Sequence, residues 1–169
     1  MLEISRSEAL TSRGQFAWFD VGELGAELSE MYEPVAEETG TVLRFERPAE
    51  PIELFGHRQL IAQAMSNLIE NAMRYGASGG EIVVSVGRQG AQLAISVGDH
   101  GPGIPLEQRG EALRRFGRLD SSRSEEGAGL GLALATAIAH LHDGALKLDD
   151  NRPGLLAVLE LPMTPRLPV

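Results

Sequence analysis

The sequence has no cysteine, so disulfides and thiolate-held metals are excluded. It has one lysine, Lys147, preceded by Ala145-Leu146, and that excludes a P-loop ending in Gly-Lys-Ser/Thr. No apolar run is long enough to span a membrane, and Glu3, Arg6 and Glu8 interrupt the start too early for a signal peptide. There is no internal repeat and no low-complexity tract. Positive charge is also scarce: the formal net charge of −9 argues against a broad nucleic-acid surface. A local basic pocket for one nucleotide remains compatible with it. These absences suggest a cytoplasmic domain in a reducing compartment, making no membrane contact of its own. With 169 residues, the chain is long enough for one domain with a sizeable core.

What is abundant is glycine, concentrated around residues 99–135. Asp99-His-Gly-Pro-Gly-Ile-Pro105 opens this stretch, and Gly127-Ala-Gly-Leu-Gly-Leu-Ala-Leu-Ala135 closes it. A polar, arginine-bearing segment lies between the two clusters. Glycine allows a backbone to approach another group closely, because it lacks Cβ and tolerates positive φ. The second cluster runs into Leu130, Leu132, Leu134, Ile138 and Leu141, an apolar helix. A glycine-rich loop opening a helix presents unpaired N–H groups and the positive end of the dipole, which suits phosphate. A dinucleotide fingerprint is a weak match, since Gly127, Gly129 and Gly131 alternate and follow a charged loop instead of a strand.

In chain order, residues 1–14 look helical as far as Leu10, carry little apolar surface for the main core and read as the tail of an element that belongs elsewhere. Residues 16–19 read as a short strand. Asp20 with Glu23 forms a capping-box-like start. Leu24, Leu28, Met31 and Val35 follow at helical spacing, with Pro34 as an expected kink and Gly40 as the stop. Residues 42–46 and 52–55 read as strands. Residues 80–86 and 93–97 alternate as a hairpin turning at Arg88-Gln-Gly-Ala91. Residues 145–148 and 155–161 form another, turning at Asn151-Arg-Pro-Gly154. Residues 164–169 are a tail. This order predicts a two-layer α/β (α+β) sandwich: a mixed, mostly antiparallel sheet with helices on one face.

The helix expected over 57–76 carries chemistry. Ile61, Ala64, Met65, Leu68 and Ala72 form its apolar stripe, while Asn67, Asn71 and Arg74 share another face. Asparagine disfavours helix interiors because its amide competes for backbone bonds. Two asparagines stacked beside a core stripe therefore point to a ligand site.

Together these motifs resemble sensor histidine kinases. Asn67-Leu-Ile-Glu-Asn-Ala-Met-Arg-Tyr75 is similar to their N box, and Asp99-His-Gly-Pro-Gly103 to the G1 box. Leu113-Arg-Arg-Phe-Gly-Arg118 resembles the F box, and Gly127-Ala-Gly-Leu-Gly-Leu132 the G2 box. The four boxes define the catalytic ATP-binding domain of that family, within the wider GHKL group, whose ATP-binding fold is of the Bergerat type. The resemblance covers 15–163. Residues 1–14 resemble the end of a dimerisation helix and a linker.

The resemblance implies ATP and Mg²⁺ as ligands. Asp99 would accept a hydrogen bond from the adenine amino group, with Gly101, Gly103 and Ile104 letting the backbone pass the base and sugar. Asn71 would bind Mg²⁺ with Asn67 beside it, as befits a hard cation. Arg74 stands where lysine is usual and would reach the phosphates, and Tyr75 would pack near the base. Arg118 and Arg123 would contact the γ-phosphate from a mobile lid over 106–126. Gly127, Ala128, Gly129, Leu130, Gly131 and Leu132 would offer phosphates the N–H groups of a loop and helix start. His100, His57, Leu113, Ala128 and Leu155 depart from common family residues, and Leu113 leaves the F box half aromatic.

In hydrolysing GHKL relatives a glutamate occupies the position of Asn67. Asparagine cannot act as a general base, and Glu70 lies on the wrong side of Asn71. The chain therefore resembles a kinase domain that passes the γ-phosphoryl group to a histidine on a separate dimerisation domain of the same protein. The implied parent is a homodimer serving a response regulator, possible in an inner-membrane-anchored form. His57, His100, His140 and His142 lack the context of a phosphoacceptor and read as ordinary surface or helix-end residues. The alternatives are a non-catalytic nucleotide-binding regulatory module and an anti-sigma-type serine kinase.

Overall fold

The computed structural model describes residues 14–113 and 128–164. The chain opens with β1 (Ala17–Asp20) and α1 (Val21–Glu38), followed by β2 (Val42–Glu46) and β3 (Glu53–Gly56). Then come α2 (Arg58–Tyr75), a 3₁₀ turn (Ala77–Gly79), and the hairpin β4 (Glu81–Gln89) and β5 (Gln92–Asp99). Two helices, α3 (Leu106–Leu113) and α4 (Ala128–Leu141), precede β6 (Ala145–Asp150) and β7 (Leu155–Pro162). Five strands form one mixed sheet in the order β2-β4-β5-β7-β6, in which only β2 and β4 run parallel. This is the expected two-layer architecture. The strands β1 and β3 pair apart from it as a small antiparallel sheet, which strand periodicity alone did not separate.

The core lies between the large sheet and its helices. Ile82, Val84 and Val86 of β4, Leu93, Ile95 and Val97 of β5, and Leu159 and Leu161 of β7 are buried. Facing them are Ile61, Met65, Leu68 and Ile69 of α2 and Leu132, Ala135 and Ile138 of α4. Each of the larger of these side chains (Val, Leu, Ile or Met), once buried, contributes about 1.5–3 kcal/mol. The stripe expected on α2 is therefore its core face.

On α1 the expected stripe is only half right. Leu24 and Leu28 are buried, but Met31 and Val35 are 56% and 46% exposed. The buried face runs instead through Val21, Gly25, Ser29 and Ala36. Gly25 explains the rotation: a Cβ there would come within 2.7 Å of the Phe45 ring on β2, so α1 seats its glycine side against that strand. The helix runs on through Pro34 and ends in a Schellman motif, with Thr41 N–H donating to Ala36 C=O and Gly40 N–H to Glu37 C=O.

Three further boundaries differ from expectation. The β4–β5 strands run on to Gln89 and Gln92, so the turn is Gly90-Ala91, with Gly90 at φ 62°. The first part of the expected lid is a helix, α3, with Ala112 buried. His57 and His142 sit at helix ends as expected, but neither is a surface residue, at 8% and 0% exposure. The expected N-terminal helix, the F-box residues beyond Leu113 and the rest of the lid lie outside the described residues. Among the described residues no helix is long and apolar enough to cross a membrane.

Candidate nucleotide-binding site

The site forms where the end of α2, the loop after β5 and the β6–β7 turn meet. Asp99 is the last residue of β5 and is 4% exposed. Its Oδ1 accepts from Gly101 N–H at 2.9 Å and from Leu155 N–H at 3.2 Å. Burying a carboxylate is costly unless donors replace the lost water, and here two backbone amides do so. The Asp99 carbonyl accepts from Asn151 Nδ2 at 2.6 Å, which ties the β6–β7 turn to the same residue.

Glycines make this crowding possible. A Cβ on Gly76, the residue that caps α2, would lie 2.2 Å from Asp99 Cγ. A Cβ on Gly101 would lie 2.7 Å from Gly76 Cα, and one on Gly154 only 1.9 Å from the Asp99 carbonyl oxygen. Gly103 is at φ 75°, a conformation open to glycine. In the sequence Asp99, Gly101 and Gly103 stand out as candidate site residues, whereas Gly76 reads only as a helix end and Gly154 only as part of a turn. Asn151 and Leu155 were not taken for site residues either. Their partners lie far away in sequence, so no local signal marks them.

The amide residues of α2 face the start of α4. Asn67 donates from Nδ2 to Gly131 C=O at 3.4 Å. One turn on, Asn71 is half-buried. Arg74 is exposed, while Tyr75 has a buried hydroxyl with no partner among the described residues. Such an orphan is uncommon in a finished protein interior. Ile104 is partly buried against the core, and its carbonyl accepts from Arg109 Nε at 2.9 Å. The first turn of α4 begins at Ala128 and includes Gly129, Leu130 and Gly131, with Leu132 buried beneath it. Arg118, Arg123 and Gly127 lie outside the described residues. The N box, the G1 loop and the G2 helix start thus line one region, joined by the Asn67–Gly131 and Gly76–Asp99 contacts.

A family model for the histidine kinase-, DNA gyrase B-, and HSP90-like ATPases matches residues 56–165. The chain belongs to this family. Within it, the signal transduction histidine-protein kinase/phosphatase MprB of Mycolicibacterium smegmatis is 38% identical over 103 residues, 60% of this chain and 21% of that protein. The kinase BaeS of Escherichia coli is 34% identical over 128 residues, 73% of this chain and 27% of its own. The chain thus spans about a fifth to a quarter of these curated relatives. Among solved structures, the nucleotide-free catalytic domain of histidine kinase ThkA superposes with a TM-score of 0.79 at 25% identity, covering 89% of this chain and 99% of that one. The chain is a histidine-kinase-type ATP-binding catalytic domain of this ATPase family, and its fold is that of the kinase catalytic domains.

The four histidines are otherwise employed or out of place for chemistry. His57 Nδ1 accepts from Leu60 N–H at 3.2 Å and so caps α2. His142 Nε2 accepts from His57 N–H at 3.1 Å, and its Nδ1 lies 2.9 Å from Ile138 C=O, to which it donates. The ring stacks on Phe16 at 4.7 Å. His100 Nδ1 lies 3.3 Å from Pro153 C=O, and His140 is exposed near the end of α4.

Proposed function

We propose that the chain binds ATP with Mg²⁺ and supplies the γ-phosphoryl group to a histidine on a dimerisation domain of the same protein. The observation that carries this reading is the buried Asp99. Both of its backbone donors take Oδ1, and Oδ2 is left as the acceptor for the adenine amino group. The glycines packed around it let the backbone of three segments close on this one carboxylate. The orphaned Tyr75 hydroxyl is consistent with a ligand near the base.

The donor set also fits a hard cation: Asn71 and Asn67 offer amide oxygens, and phosphate oxygens and water would complete the shell. Once bound, Mg²⁺ would neutralise charge on the phosphates. The remaining work belongs to the chain's own groups. Arg74, Arg118 and Arg123 would bind phosphate oxygens. The 127–132 segment would offer them backbone N–H groups. Phosphoryl transfer needs positioning and charge stabilisation more than covalent chemistry, and these residue types supply both. A response regulator would then take the phosphoryl group from the histidine of a homodimeric parent.

The test mixes this chain with ATP, Mg²⁺ and the histidine-bearing helical domain of its parent. Acid-labile, base-stable label on that domain is the expected result. If ATP binds and no label transfers, the regulatory-module reading takes its place. Label stable to acid would instead indicate a serine kinase.

A further inference from the structure

Helix α1 reaches α2 at Tyr32, whose hydroxyl donates to Glu70 Oε2. Ser66, one turn before Glu70, lies close to the same hydroxyl and opposes the rise in its pKa. A surface ion pair, Arg58–Glu27 at 2.6 Å, joins the two helices nearer the start of α2. Tyr32 is half-buried, whereas Glu70 is exposed.

The register of α2 gives this contact a consequence. At about 100° per residue, Ser66, Glu70, Arg74, Asn67 and Asn71 follow one another in that order across an arc of roughly 140°. Arg74 therefore lies between Glu70 and the asparagines. It also lies four residues beyond Glu70, and a glutamate N-terminal to a cation at that spacing is the favourable orientation for a helical ion pair. A carboxylate drawn toward Arg74 would neutralise the charge that the phosphates need.

We infer that Tyr32 is a positioning residue, holding the Glu70 carboxylate on the α1 side of α2 and so keeping it from Arg74. The inference rests on the proposed phosphate-binding role of Arg74. Burial and the neighbouring Glu70 raise the Tyr32 hydroxyl above its ordinary value, so it remains a donor at neutral pH. The bland alternative is that the contact merely fastens two helices together.

The test compares the wild-type chain with Tyr32→Phe, Glu70→Gln and the double variant. Phenylalanine keeps the ring and removes only the hydroxyl. The Arg74 Nε–H signal in ¹⁵N NMR spectra should move in Tyr32→Phe, and in the double variant it should return to its position in Glu70→Gln. Calorimetry should show ATP binding weakened about twofold to fivefold in Tyr32→Phe, the scale of one partly neutralised charge contact. Adenosine binding should not change, and Glu70→Gln should restore the ATP affinity. If Tyr32→Phe leaves the Arg74 signal in place, or the double variant keeps the Tyr32→Phe shift, the inference is overturned. If the wild type binds ATP no better than adenosine, the phosphate role of Arg74 fails, while the NMR comparison still decides whether Tyr32 keeps Glu70 from Arg74.

Discussion

Asp99 is held by atoms that side-chain chemistry barely touches. Its Oδ1 takes two backbone N–H groups, and its carbonyl takes the Asn151 amide. In Asp99→Asn the amide oxygen can keep the Oδ1 bonds, so the loop should still close. The NH₂ group then stands where Oδ2 would accept from adenine. ATP affinity should fall by about 1–3 kcal/mol, with the fold retained. Calorimetric titration checks this, and an unchanged affinity would remove Asp99 from the adenine site. Gly76 makes a second test from the opposite side. An alanine methyl group would lie 2.2 Å from Asp99 Cγ, against a carboxylate already pinned at Oδ1. Gly76→Ala should therefore displace Asp99, weakening ATP binding and costing about 1–3 kcal/mol of stability, the usual range for overpacking. Chemical denaturation together with nucleotide titration reads both effects. Wild-type values for both would mean that the α2 terminus yields more easily than its packing implies.

Helix α2 carries the asparagines, and its N-terminus is set by two histidines that lie 85 residues apart. His57 caps it through Nδ1, and the His57 N–H is itself capped by His142 from the end of α4. His142→Phe would keep an aromatic ring against Phe16 but lose the acceptor for a buried N–H. Leaving that donor unpaired should cost about 1–3 kcal/mol, measurable as a lower urea midpoint with an unchanged slope. An unchanged midpoint would mean that the α2 start does not depend on His142. This link also shows what was legible in the chain. The spacing of apolar residues located α2, the β4–β5 hairpin and the apolar helix α4, because each buries one periodic face. The N and G boxes stood out because asparagine inside a helix and clustered glycine are locally unfavourable without a purpose. The rest was hidden for definite reasons. Met31 and Val35 obey helical spacing, yet Gly25 turns α1 so that they face solvent. Gly76, Gly154 and Tyr32 take their meaning from residues dozens of positions away, and nothing in their own segments announces it. The segment 106–113 looked like polar loop because only the end of α3 reaches the core, through Ala112 and the partly buried Leu113.

The molecule as a whole uses one sheet as a platform. Helices α2 and α4 cover a face of it, and the other face keeps half-buried groups such as the paired Ser85 and Ser96 hydroxyls. The candidate site lies where α2 ends and α4 begins, so a nucleotide held there would touch the joint between them. Whether such a domain spends ATP on water or saves it for a partner then depends on the presence of a base. Asn67 cannot serve as one, and its amide is already turned toward Gly131 C=O. Glu70 is the carboxylate on the same helix, but it accepts from the Tyr32 hydroxyl of α1. A general base typically contributes about 10²–10⁴-fold when water lies within hydrogen-bond reach. Lacking one, the pure wild-type chain should release phosphate from ATP at a rate close to background, and Glu70→Gln should leave that rate unchanged. Steady-state phosphate release with Mg²⁺ measures both. Asn67→Glu adds a carboxylate at the position used by hydrolysing relatives, and any gain in turnover would show that water can be placed there. Robust turnover by the wild type, abolished by Glu70→Gln but not by Asn67→Ala, would assign the base to Glu70. The chain would then act as an ATPase in its own right, and transfer to histidine would no longer be its chemistry.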